Sequence, residues 1–261
     1  MLLCALALFA KTTACTVPAA LVLVLWLRNE KLDRTRILQI MPFLFLGVGM
    51  GLVSVWWEKH LGDAQAESGA AYGWVERLLI ATRALWFYAG TLVWPANLTF
   101  TYPKWAINAQ AAGQYIWLAA GGVLGAGVWW KRKALGRGII AGLVFFVAAL
   151  SPLLGSIWLY TFRYSFVADH YQYLACLGLI GPIVAVAACL SANWPLPARV
   201  GVSSLVLLSL GVLTWRQCAT YTNEETLWRT TIERNPAAWM AHLNLGNVML
   251  NQGRGTEAVL Q

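Results

Sequence analysis

Charge is scarce in this chain. Asp, Glu, Lys and Arg make up only 11% of its 261 residues, against about 25% in an ordinary soluble domain. With 59% hydrophobic residues, that shortage excludes a water-soluble globular protein and points to a polytopic membrane protein. Cysteine is sparse and unpatterned. Cys4, Cys15, Cys176, Cys189 and Cys218 have no paired spacing and no histidine nearby. That argues against a disulfide framework or a metal site, and for small buried apolar side chains. The net charge of +8 is not gathered on a polar face, which excludes nucleic acid as a partner. The basic residues stand in short loops between apolar runs, where they signal topology. The start, MLLCALALFAKTTACTVP, has no basic stretch ahead of its apolar run and is expected to be a poor secretory leader. It reads as a span entered partway.

What is present is a series of apolar runs. They lie at 2–27, 37–57, 114–130, 138–160, 171–190 and 200–215, each on the scale of the ~20 residues that cross a bilayer. A seventh, 78–94, is interrupted by Arg83. Tryptophans mark the ends: Trp26, Trp56, Trp57, Trp129, Trp130, Trp158 and Trp215. This is the aromatic belt of spanning helices. Two loops carry the basic residues. One holds Arg28, Lys31, Arg34 and Arg36; the other holds Lys131, Arg132, Lys133 and Arg137. Both are expected in the cytoplasm. That requires 78–94 to lie in the interface or re-enter on the outer side, not to cross. The fold expected is all-α: a six-span transmembrane bundle over 1–216, then a helical linker and the start of a helical repeat over 217–261. The repeat would lie on the non-cytoplasmic face.

Two external stretches carry polar residues. The first, 58–113, contains Glu58, Lys59, His60, Asp63, Glu67, Glu76, Arg77, Arg83 and Lys104, and ends in WPANLTFTYPKW. It reads either as a solvated loop with a membrane-surface edge or as one wall of an external cavity. Asn97-Leu98-Thr99 fits the short glycosylation pattern, which recurs by chance. The second, RYSFVADHYQYL, holds Arg163, Asp169, His170 and Tyr171, with Tyr164 and Tyr173 close by. An ionisable residue at membrane depth marks a function; Asp169 could equally cap the next helix. Lys11 either snorkels to the interface or meets an anion in a cavity.

After the last apolar run, Thr222-Asn-Glu-Glu225 fits a capping box with Thr222 as N-cap. The helix it starts should end at Asn235-Pro236. The following segment, HLNLGNVMLNQG, keeps Leu245-Gly246, Gly253 and Ala258 at the spacing of a tetratricopeptide repeat. A generic helical hairpin is the alternative. The chain stops before one repeat is complete, so it is expected to be a piece of a longer protein.

Four stretches together resemble a known family. They are ALFAKTTACTVPAALVLVLWL, ERLLIATRALWFYAGTLVWPANLTFTYPKW, VADHYQYLACLGLIGP and the junction after Arg216. In this order they resemble the C-superfamily membrane glycosyltransferases with tetratricopeptide repeats, the transmembrane-and-TPR O-mannosyltransferase type and its bacterial relatives. The resemblance implies sugar transfer from a polyprenyl-phosphate donor to an acceptor on the outer face of a bacterial inner membrane. It implies an acidic pair as acceptor base, in an external loop that this chain does not contain; the chain taken alone is then expected to be inactive. The chain departs from the family pattern with His170 in place of Arg and Ala175 in place of Pro. The candidates for the donor phosphate or its cavity are Lys11, Arg83, Lys104, Arg163, Asp169, His170 and Tyr171. No cofactor is indicated, and a divalent metal stays open. Expected partners are membrane lipid, the lipid-linked donor, and a protein partner or acceptor at the repeat. The competing reading is a non-catalytic membrane scaffold presenting the repeat to proteins. A transporter is a distant third.

Overall fold

The computed structural model describes residues 1–61, 72–155 and 160–259. Asp63, Glu67 and positions 156–159 of the fourth apolar run lie outside the described residues. Among the described residues there are eleven α-helices and no strand. They are α1 (Leu2–Ala10), α2 (Val17–Leu27), α3 (Arg34–Leu61), α4 (Trp74–Val93), α5 (Ile116–Trp130), α6 (Arg132–Leu150), α7 (Leu177–Leu190), α8 (Leu196–Thr220), α9 (Glu224–Arg234), α10 (Trp239–Asn251) and α11 (Gly255–Ala258). Three stretches are long and apolar enough to cross a membrane: Arg34–Trp57, Arg132–Leu153 and Leu196–Thr220. Along the last stretch only its final residue, Thr220, is buried within the protein. An apolar helix exposed all round is stable only with lipid or a partner around it.

Several apolar runs are not single helices. The run 2–27 breaks at Lys11, whose backbone is extended, and continues through a 3-10 turn, Thr12–Thr16, into α2. The Thr16 hydroxyl donates to the Thr13 carbonyl (2.9 Å), a local bond that competes with the α-helical ladder. Pro18 then sits at the start of α2, where its missing N–H costs little. The run 138–160 also ends early. Pro152 follows α6 within a 3-10 turn, Ser151–Leu153, and Gly155 turns the chain with a φ of 88°. The run 171–190 begins its helix only at Leu177, after a 3-10 turn over Asp169–Tyr171. At 14 residues α7 is about 21 Å long, short of a ~30 Å hydrocarbon core. The 15-residue α5 falls short in the same way. Cys189 and Cys218 are exposed and not buried, because each stands on an outward face of an apolar helix.

The described chain forms two compact units. The first comprises Met1–Trp86, Ile107–Arg163 and Tyr171–Val184. Within it α2 packs on α3 and on α6, and α5 on α6. α6 and α7 meet backbone to backbone. A Cβ added at Gly178 would lie 2.5 Å from the Gly142 carbonyl oxygen and 2.8 Å from the Phe146 nitrogen. Only glycine allows that approach. α2 ends in a Schellman turn on Asn29, whose φ is 60°. Glu30 N–H bonds Leu25 C=O (3.0 Å) and Asn29 N–H bonds Trp26 C=O (3.2 Å). The Arg137 guanidinium donates to that same turn, to the Trp26 carbonyl (3.2 Å) and the Asn29 side-chain oxygen. The two basic loops therefore share one end of this unit.

The second unit comprises Phe87–Ala106, Tyr164–His170 and Ala185–Gln261, described here to Val259. α9 and α10 pack as a helical hairpin, and α10 packs on α11. Asn223, not Thr222, caps α9. Its side-chain oxygen accepts from Thr226 N–H (2.8 Å), while the Thr222 hydroxyl donates back to Ala219 (2.8 Å). Both residues are good caps. Asn223 is the one whose side chain reaches the third helical N–H, so Glu225 cannot close a capping box. Glu225 instead binds Arg229 (2.8 Å) and Arg254 (3.0 Å). Gly253, with a φ of 74°, closes a second Schellman turn after α10.

Candidate functional site

A polar and aromatic cluster of the second unit grows from an extended segment. After Val93, Pro95 and Pro103 keep 94–106 out of helix. Its backbone groups are then satisfied from elsewhere. Gln217 of α8 donates to the Leu98 carbonyl (3.2 Å), and so does Arg234 of α9. The buried Asn235 side chain donates to the Thr101 carbonyl (3.1 Å). Phe100 stacks edge-on against Trp228 (5.2 Å). The hairpin is thus fastened to the extended segment. The Asn97-Leu98-Thr99 pattern is part of this fastening: Thr99 is buried and the Leu98 carbonyl is occupied.

The other side of the segment meets the loop 164–170. The Tyr102 hydroxyl donates to the Asp169 carboxylate at 2.6 Å. Tyr88, fully buried, accepts from Ala168 N–H through its hydroxyl (3.2 Å). Phe87 packs edge-on against Tyr102 (4.8 Å) and Trp105 (6.1 Å), and Trp105 lies 6.0 Å from Phe166. The Lys104 ammonium sits 5.3 Å from the Phe166 ring centre, within cation–π range. Tyr164 stacks on Trp239 of α10 (5.1 Å).

These surroundings set the proton affinities. Burial raises the Asp169 carboxyl above its usual range, and the Tyr102 hydrogen bond partly offsets this. Burial raises the Tyr102 phenol well above its ordinary value, helped by its bond to the Asp169 charge. Desolvation, then the Asp169 charge, raises Tyr221. Desolvation among the rings lowers the Lys104 ammonium, although much of that side chain stays exposed. The cluster therefore holds a cation, a carboxylate and aromatic faces together.

The seven sequence candidates divide between the two units. Lys104, Asp169 and His170 belong to the second. Asp169 and Lys104 both enter the cluster just described; His170 is exposed in the 3-10 turn that Asp169 starts. Lys11, Arg83, Arg163 and Tyr171 belong to the first. Lys11 stands at the α1 break with its ammonium 4.3 Å from the Tyr173 ring centre. The Tyr171 hydroxyl is hydrogen-bonded to Thr161. Arg83 is half-buried on α4, whose Leu79, Ile80, Ala84 and Tyr88 are buried at helical spacing. Arg163 ends a 3-10 turn. Asp169 does not cap the following helix, since α7 begins only at Leu177. Sequence reasoning missed Tyr88, Tyr102 and Phe166. Their only signal was the density of aromatic residues around Pro103 and Asp169. Among the described residues no three His, Cys, Asp or Glu side chains gather as metal ligands would. No family model, curated protein or solved structure matches the chain.

Proposed function

We propose that this chain is the membrane portion of a glycosyltransferase that uses a polyprenyl-phosphate sugar donor, of the O-mannosyltransferase-like type. One observation carries the reading. The two most specific stretches of the resemblance, one ending WPANLTFTYPKW and the other beginning VADHYQYL, meet in one cluster through Tyr102–Asp169 and Tyr88–Ala168, beside the Trp105–Phe166 contact. Sugar transfer from a phosphate donor needs fixed cations for the leaving phosphate and orienting groups for the sugar. Lys104 is a cation of this cluster, and Trp105 an aromatic face. Arg83, Arg163 and Lys11 are the remaining cation candidates. The helical hairpin α9–α10 with α11 is read as the start of a tetratricopeptide repeat, placed outside the cytoplasm for a protein acceptor or partner.

The test is binding of a polyprenyl monophosphate to the detergent-solubilised chain. Lys104→Ala should weaken it, and Arg83→Ala and Arg163→Ala test the two first-unit candidates by the same measurement. A charge-assisted hydrogen bond contributes about 1.5–3 kcal/mol, or roughly 10- to 100-fold. Unchanged affinity in all three variants would refute the phosphate role. A second reading, the protein-binding scaffold, draws on an open groove of about 450 Å³ along α10, lined by Trp239, His242, Leu243, Gly246, Asn247 and Leu250 with Ala258 of α11.

A further inference from the structure

We propose that the two basic loops of the first unit form a single binding surface for the phosphate headgroups of anionic lipids. This goes beyond the sugar-transfer reading and does not depend on it. Residues 28–36 and 131–137 carry eight Lys and Arg against two acids, Glu30 and Asp33. Both acids are already engaged. Glu30 bridges Arg36 (2.6 Å) and Arg28 (3.3 Å), and Asp33 accepts the backbone N–H of Arg36 (2.8 Å) at the start of α3. Lys31, Arg34, Lys131, Arg132, Lys133 and Arg137 make no salt bridge among the described residues, and all six are exposed.

The loops are far apart in sequence but fastened together. Arg137 holds the Asn29 turn through Trp26 and Asn29, and α2 packs against α6. Assembling like charges is unfavourable unless counter-anions approach. Among the described residues no carboxylate forms a salt bridge with these six.

The setting favours lipid over any soluble polyanion. The long apolar helix α3 starts at this surface at Arg34, and the apolar part of α6 starts there after a kink at Gly136, whose φ is 75°. Their positive N-terminal ends add to the field there. Trp26, Trp129 and Trp130 line it and are exposed, as rings at headgroup depth are. Arg132 lies over Trp129 (4.4 Å), which directs its charge along the interface. A surface of exposed, dispersed cations framed by indoles matches the phosphate groups of a lipid leaflet. Each Lys or Arg near an anionic leaflet contributes about 1 kcal/mol, roughly fivefold in affinity.

The experiment uses the full chain in phosphatidylcholine vesicles carrying trace spin-labelled phosphatidylglycerol or spin-labelled phosphatidylcholine. The motionally restricted fraction of each label gives the selectivity of the protein's lipid shell. The parent should prefer phosphatidylglycerol. Neutralising Lys131, Arg132 and Lys133 to Gln should cut that preference at least tenfold, or to parity. Lys31→Gln with Arg34→Gln should act in the same direction from the other loop. Molar salt should weaken the parent's preference. Equal restriction of both labels by the parent would overturn the proposal. So would full selectivity in both sets of variants. A short RNA that displaced phosphatidylglycerol from the parent would overturn it in favour of a nucleic-acid surface.

Discussion

Replacing Tyr102 with phenylalanine removes one hydroxyl and nothing else from the cluster. The ring keeps its packing against Phe87. What is lost is the 2.6 Å bond to Asp169, at a residue only 8% exposed. A hydrogen bond to a charged partner is worth about 1.5–3 kcal/mol. Asp169 is only half-buried, so water replaces part of the bond, and the lower end of that range is expected. For a chain of this size about 1.5 kcal/mol lowers Tm by roughly 3–6 °C. Thermal unfolding in detergent, followed by near-ultraviolet circular dichroism, reads this directly. Asp169→Asn should behave differently, because an amide oxygen still accepts from Tyr102 while the cost of burying a charge disappears. Its Tm should match or exceed the parent's. The pH dependence follows from the sign of each shift. The folded protein holds the Asp169 proton more tightly than the unfolded chain. Stability from this group is therefore greatest below its ordinary pKa and falls as pH rises through the folded value. Asp169→Asn should flatten that acid-side slope. Tyr102, also raised, loses stability for the fold as pH climbs above about 10, and Tyr102→Phe should abolish that step. A Tyr102→Phe protein melting within a degree of the parent, with an unaltered alkaline limb, would refute the cluster as described.

Gly178→Ala should be costly, because its new methyl meets backbone atoms of α6 that cannot move aside; overpacking of this kind costs about 1–3 kcal/mol. Gly125→Ala, in the middle of α5 with nothing within 4 Å, should stabilise by about 0.5–1 kcal/mol, and equal melting temperatures for the two would contradict the α6–α7 crossing. At the hairpin, Asn223→Ala should lower stability by about 1 kcal/mol and Thr222→Ala by roughly 0.5 kcal/mol at most; the reverse order in chemical denaturation would restore Thr222 as the cap.

The apolar runs 37–57 and 200–215 were legible in the sequence because each is apolar without interruption, and even Pro42 lies inside its helix without ending it. α3 and α8 cover both. Lys11 and Thr12–Thr16 were hidden inside the 2–27 run because hydropathy averages over a break that is made by local hydroxyl bonding and one extended residue. Position 222 was misread for a geometric reason. Thr222 and Asn223 are both caps by type, and only the helix phase tells which one reaches the third N–H. The candidate Asp169 was visible as an ionisable residue beside a span. Its partner Tyr102 was not, since the two are 67 positions apart and no periodicity links an extended segment to a distant loop. Arg137 shows the same limit: its charge was readable as a topology signal, whereas its hold on the Asn29 turn depends on how α2 and α6 pack.

Sidedness is the foundation of the functional proposal, and reporter fusions measure it directly. A reporter active only outside the cytoplasm should be active when joined after Gln261 and silent when inserted after Lys133. Activity at Lys133 with silence at Gln261 would put the aromatic cluster's proposed donor chemistry on the wrong side of the bilayer and contradict the account.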